Sequence, residues 1–92
     1  MTIDEFDNQC TGSFIDEKGI KLIVSNRSFH DNGGLEIIYP NDPPRGGTYY
    51  LRLENSKLFF RMEGNEFLLS PTQNGFELIM GETIAYNFSR LV

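Results

Sequence analysis

Residues 48–70 read TYYLRLENSKLFFRMEGNEFLLS, and three short runs of alternating apolar and polar residues sit side by side in them. In the first run Tyr49, Leu51 and Leu53 fall on one side and Tyr50, Arg52 and Glu54 on the other. A period of two marks a strand with one buried face, because successive side chains leave a strand in opposite directions. Asn55-Ser56 separates this run from a second, where Leu58, Phe60 and Met62 align. Gly64-Asn65 then leads into a third, where Phe67 and Leu69 align. Two-residue connections join antiparallel neighbours only, since a parallel crossover needs a dozen residues or more. The segment predicts three hairpin-linked strands over 48–54, 57–63 and 66–70.

The same pattern extends both ways. Upstream, strands are expected over 12–16, over 20–25 (Ile20, Leu22 and Val24 on one face) and over 35–39 (Leu35, Ile37 and Tyr39). The polar stretch NRSFHDNGG at 26–34 reads as a connection. So does PNDPPRGG at 40–47, because no ladder tolerates its three prolines. Pro43 and Pro44 stiffen that loop and place Arg45 at its tip as a possible second recognition point. Downstream, Asn74-Gly75 is the strongest hairpin signal and opens a seventh strand with Phe76, Leu78 and Met80 aligned. Gly81-Glu82 turns into an eighth, from Thr83 to about Leu91, with Ile84, Tyr86 and Phe88 aligned. Residues 1–10 form an N-terminal extension in which 3–8 make at most one helical turn, with Phe6 placed to plug a barrel end.

Ninety-two residues support one domain with a single core. The fold class is all-β. Eight antiparallel strands in sequence order leave two bare edges unless the sheet closes, so a small lipocalin-like meander barrel is expected, with an open β-sandwich as the rival. The inward set of Tyr49, Phe60, Phe67, Phe76, Tyr86 and Phe88 fills so small a barrel. On the outward faces Ile23, Ile38, Tyr50, Phe59, Leu68 and Ile79 supply about one apolar residue per strand; aligned registers would join them into a belt fit for a partner or a homodimer.

Thirteen acidic against eight basic side chains give a net charge of −5, with the basic ones scattered singly. Nucleic-acid binding needs clustered Lys and Arg to displace counterions, so no nucleic-acid partner is expected. No run of about eighteen apolar residues exists to cross a membrane, and no signal segment is seen, which makes the cytoplasm the expected location. The two N-x-S sequons, at Asn26 and Asn87, then carry no glycan.

Catalytic chemistry is thinly provided. His30 and Cys10 are the only imidazole and the only thiol, and they lie in separate polar segments without an orienting motif. No C-x-x-C, H-x-x-x-H or calcium-loop spacing occurs, so no metal or other cofactor is expected. Gly33-Gly34 and Gly46-Gly47 do not open helices and are not phosphate cradles. The expectation is a protein without enzymatic activity, and a calycin-type ligand carrier or an oligomerising structural module are the alternatives to a protein-binding one.

The C-terminal segment FELIMGETIAYNFSRLV, residues 76–92, resembles the end of the staphostatins, small cytoplasmic inhibitors of papain-like bacterial cysteine proteases with a closed eight-stranded, lipocalin-like barrel. In that family an apolar residue followed by glycine, in the loop before the last strand, lies through the protease cleft. Ile79, Met80, Gly81, Glu82 and Thr83 occupy the corresponding place, with Glu82 where the family has Thr. The resemblance implies that Met80 fills the pocket preceding the scissile position. It also implies that Gly81 holds its carbonyl out of line for thiolate attack.

Overall fold

The computed structural model describes residues 1–29 and 32–91, with backbone alone described at 28, 29 and 32. Eight strands follow one short helix: α1 (Ile3–Gln9), β1 (Gly12–Asp16), β2 (Lys21–Phe29), β3 (Asn32–Ile38), β4 (Arg45–Glu54), β5 (Lys57–Met62), β6 (Asn65–Pro71), β7 (Gly75–Met80) and β8 (Thr83–Arg90). Each strand pairs antiparallel with the next, and β8 returns to β1, so the sheet is a closed meander barrel and the open sandwich is excluded.

The turns follow from backbone chirality. Asn55 and Ser56 take φ of 51° and 64°, and Glu63 and Gly64 take 49° and 80°. Two successive positive φ values make a type I′ turn, whose twist matches that of the flanking strands. The second of these turns sits one residue earlier than Gly64-Asn65, because Met62 pairs with Asn65 across it. At the β7–β8 connection only Gly81 is positive, at 63°, as a type II′ turn requires.

Inside, aromatic rings touch in sequence. Tyr49 stacks on Phe60 at 5.2 Å, Phe60 reaches Phe76 at 6.4 Å, Phe76 meets Phe88 at 5.5 Å, and Phe88 stacks on Tyr86 at 5.4 Å. Phe6 of α1 joins them, 5.6 Å from Tyr49 and 5.9 Å from Phe60. Each fully buried Phe contributes roughly 1.5–3 kcal/mol over an exposed one. The helix is longer than one turn because Thr2 and Glu5 form a capping box, each side chain accepting from the other's backbone N–H (3.2 and 3.0 Å). Asp7 then receives Arg27 in a two-pronged pair, Nε to Oδ1 at 2.9 Å and a terminal nitrogen to Oδ2 at 2.6 Å. That pair ties the plug to β2, and Phe6 and Cys10 of the N-terminal extension lie in the core with Met1 and Ile3 packed against it.

Three corrections concern strand limits and facing. The polar stretch expected as a connection is largely strand: β2 runs on to Phe29 and β3 starts at Asn32, with irregular register after Val24. Leu53, Met80 and Ile84 were expected inward, yet all three are exposed, at 47%, 43% and 52%. Leu53 and Met80 lie at strand ends beyond the packed interior. Ile84 is turned outward by a bulge: Leu78 pairs with Tyr86 but Ile79 pairs with Ile84, leaving Ala85 unmatched.

The seam that closes the barrel is short, with pairs Phe14–Arg90, Ile15–Ser89 and Asp16–Phe88. Side chains reinforce it. The Arg90 guanidinium donates to the carbonyls of Gln9 (2.6 Å) and Thr11 (2.9 Å) and lies 4.8 Å from the Phe14 ring centre. Asp16, buried, accepts from the backbone N–H of Lys18 (2.7 Å) and of Asn87 (2.9 Å), so one carboxylate joins the β1–β2 turn to β8.

Candidate functional site

Register decides what the outward apolar residues can do together. Phe59 pairs with Leu68, Leu68 with Ile79, and Ile79 with Ile84. These four side chains form one row across β5, β6, β7 and β8, with directly opposed Cβ atoms only about 4.5–5.5 Å apart. Phe59, Leu68 and Ile79 are half-buried by one another's flanks, whereas Ile84 is exposed. Arg52 closes the far end: paired with Phe59, it lays its guanidinium 4.3 Å from that ring's centre. It also binds Glu66 at 2.7 Å, and Glu54 as well. The Arg52 hydrogen bond holds the Glu66 carboxyl below its usual range.

The belt expected from alternation is therefore broken. Ile23 lies between Ser13 and Glu36, Ile38 faces Lys21, and Tyr50 lies between Asn32 and Arg61. None of these three enters the row. Ile84 does, and sequence reasoning missed it, because a bulge leaves no trace in simple alternation.

At the Ile84 end the row runs into the β7–β8 hairpin tip. Met80 pairs with Thr83 across Gly81-Glu82, and Met80, Gly81, Glu82, Thr83 and Ile84 are all exposed. A Cβ built on Gly81 would meet nothing within 4 Å, so its positive φ, rather than crowding, is what calls for glycine. The tip is a bare two-residue turn. It reverses the chain at once and does not present an extended segment.

The proline-rich connection is shorter than expected. Pro43 and Pro44 lie in it, exposed, but Arg45 is the first residue of β4 and pairs with Ile37. Its guanidinium lies 4.6 Å from the Tyr39 ring centre and 3.4 Å from Glu63, so it lies against the barrel rim instead of projecting from a loop tip.

The remaining reactive groups are held quiet. Burial pushes the Cys10 thiol up to about 12, far from the thiolate a nucleophile needs at neutral pH. His30, the other half of the pair considered from sequence, lies outside the described residues. Tyr49 is raised to about 12, first by burial and then by the Asp7 charge, while its hydroxyl donates to the Ser25 carbonyl at 2.6 Å. Tyr86 is raised as well, by burial and then by a hydrogen bond with Tyr39. Among the described residues no three His, Cys, Asp or Glu side chains gather as metal ligands, and no helix is long and apolar enough to cross a membrane.

No protein-family model, no curated protein and no solved structure matches the chain.

Proposed function

We propose that this chain is a cytoplasmic binding protein that works without chemistry of its own, by seating the β7–β8 tip and the apolar row at its base in a partner's site. The observation that supports it is the continuity of the row Phe59–Leu68–Ile79–Ile84 with the exposed turn at Met80–Thr83. A half-buried apolar row that ends in the exposed Ile84, with Met80 exposed on the other face of the same hairpin, is costly to leave in water and gains by being covered. The partner class is the one the Met80-Gly81-Glu82-Thr83 resemblance implies, a papain-like cysteine protease. The tight turn refines the mode of entry: the hairpin enters the cleft tip first, with Gly81-Glu82 leading, Met80 directly behind on one face of the ribbon and the row packing on the cleft wall from the other.

The test is a titration of papain-like proteases with the wild-type chain, Met80→Asp and Leu68→Glu, each verified as folded by circular dichroism. Inhibition by the wild type that both variants lose supports the proposal. Absence of inhibition by the wild type removes the protease as partner. Should the wild type sediment as a dimer that Leu68→Glu converts to a monomer, the row serves a second copy of the chain instead.

A further inference from the structure

Strand β4 outruns its neighbour. It begins at Arg45, but the first β5 residue opposite it is Met62, which pairs with Tyr49. Residues Arg45, Gly46, Gly47 and Thr48 therefore pair with β3 on one side, opposite Ile37, Glu36, Leu35 and Gly34, and face no strand on the other. The β5–β6 turn at Glu63-Gly64 comes too early to cover them. In an antiparallel ladder alternate residues turn their N–H and C=O away from a given partner, so this stretch carries unpaired backbone groups along an open edge.

The notch opens a cleft of about 750 Å³ in the barrel wall. Its apolar floor is made by Leu35, Ile37, Leu51 and Met62. Two further observations say what fits there. A Cβ built on Gly47 would meet nothing within 4 Å, and one on Gly46 only the Leu35 carbonyl at 3.9 Å; neither glycine has a positive φ. The barrel thus gives no steric or conformational reason for two adjacent glycines. Bare backbone in a strand is where a second backbone approaches closely. The rim is arginine-rich in a chain of net charge −5: Arg45, Arg52 and Arg61 line the cleft. Arg45 and Arg52 are paired with Glu63 and Glu66, whereas among the described residues the Arg61 side chain closes no hydrogen bond or ion pair, although it lies opposite Glu66 and its charge helps to lower that carboxyl.

We propose that the open edge over Gly46–Thr48 is a second binding site, which takes an extended acidic segment of a partner protein as an added strand. Main-chain hydrogen bonds to the edge supply affinity, alternate side chains reach the apolar floor, and carboxylates meet the arginine rim. A second copy of this chain is the poorer occupant, since two-fold self-pairing of this edge brings two arginine rims together.

The probe is a capped heptapeptide alternating glutamate and valine, followed by amide NMR of the ¹⁵N-labelled chain. Saturable shifts at Gly46, Gly47 and Thr48 are expected. N-methylation of alternate peptide amides should weaken binding by about tenfold or more, because each methyl removes a ladder hydrogen bond. A lysine–valine peptide should bind about tenfold more weakly than the glutamate one, and Arg61→Glu should invert that order. Arg61→Glu should lower the melting temperature only slightly, since the side chain is exposed and the change sets a second carboxylate opposite Glu66 across the ladder. Shifts that miss residues 46–48, equal binding of the N-methylated peptide, or equal binding of both charge forms would overturn the proposal. Concentration-dependent shifts at 46–48 without peptide would replace the partner with a second copy.

Discussion

The ring of Tyr49 lies against Gly33, its direct partner across the β3–β4 ladder; a Cβ on Gly33 would come within 2.7 Å of the ring and of the phenolic oxygen. The ring has nowhere to go, with Phe6 and Phe60 against it and the Ser25 carbonyl holding its hydroxyl. Gly33→Ala is therefore expected to cost about 1–3 kcal/mol by overpacking, read as a lower urea midpoint with an unchanged slope. Tyr49→Phe should cost less, about 0.5–1.5 kcal/mol, for the one lost hydrogen bond.

The opposite sign is expected at Ser56. It holds φ 64° at the second position of a type I′ turn, where glycine is preferred after Asn55. Ser56→Gly should stabilise the chain by roughly 1 kcal/mol, because a side-chain-bearing residue in the left-handed region costs about 1–2 kcal/mol. A fall in thermal midpoint for this variant would contradict the turn geometry.

Asp16 is a single buried carboxylate with two backbone N–H donors, those of Lys18 and Asn87. Asp16→Ala strands both and loosens the β1–β8 seam. A loss of about 3–6 kcal/mol is expected, since hydrogen bonds to a charged group are worth roughly 1.5–3 kcal/mol each. Amide exchange should accelerate first at Asn87 and in the β1–β2 turn.

Stability should fall on the alkaline side. Cys10 and Tyr49 both titrate at about 12 in the folded chain, against roughly 8.5 and 10 when unfolded. The folded state keeps protons that the unfolded state sheds, so rising pH favours unfolding, with no contribution below about pH 8. Each group adds a slope of up to about 1.4 kcal/mol per pH unit, Cys10 from about pH 8.5 and Tyr49 from about pH 10. Urea unfolding in steps to pH 11 measures it, and Cys10→Ala should remove the earlier part of the decline.

The strands that alternation revealed are those whose two faces see different solvents. Residues 48–62 are the clearest case, with Tyr49, Leu51, Phe60 and Met62 buried as their spacing required. Alternation fails where the barrel itself supplies the environment. Leu53 and Met80 have inward parity but sit past the end of the packed rings. Ile84 shares parity with Tyr86 until the bulge at Ala85 intervenes. Gly46 and Gly47 looked like loop residues, and only the β3 ladder makes them strand. The helix left a legible mark in Thr2 and Glu5, a spacing of three that signals a capping box, which the short apolar pattern around it concealed. As for the site, Phe59, Leu68 and Ile79 could be placed outward by counting, but that they adjoin one another depends on register, which turn lengths and bulges set.

The seam between β1 and β8 has a bearing on how the chain is made. During translation β8 leaves the ribosome after all seven strands it must complete, and until it arrives β1 and β7 each present an open margin. Released chains truncated just short of residue 83 should stay sensitive to protease, while chains that run past residue 90 become resistant in one step. Such a barrel closes only when its last strand is free to pair, and meanwhile depends on whatever shields its unfinished sheet.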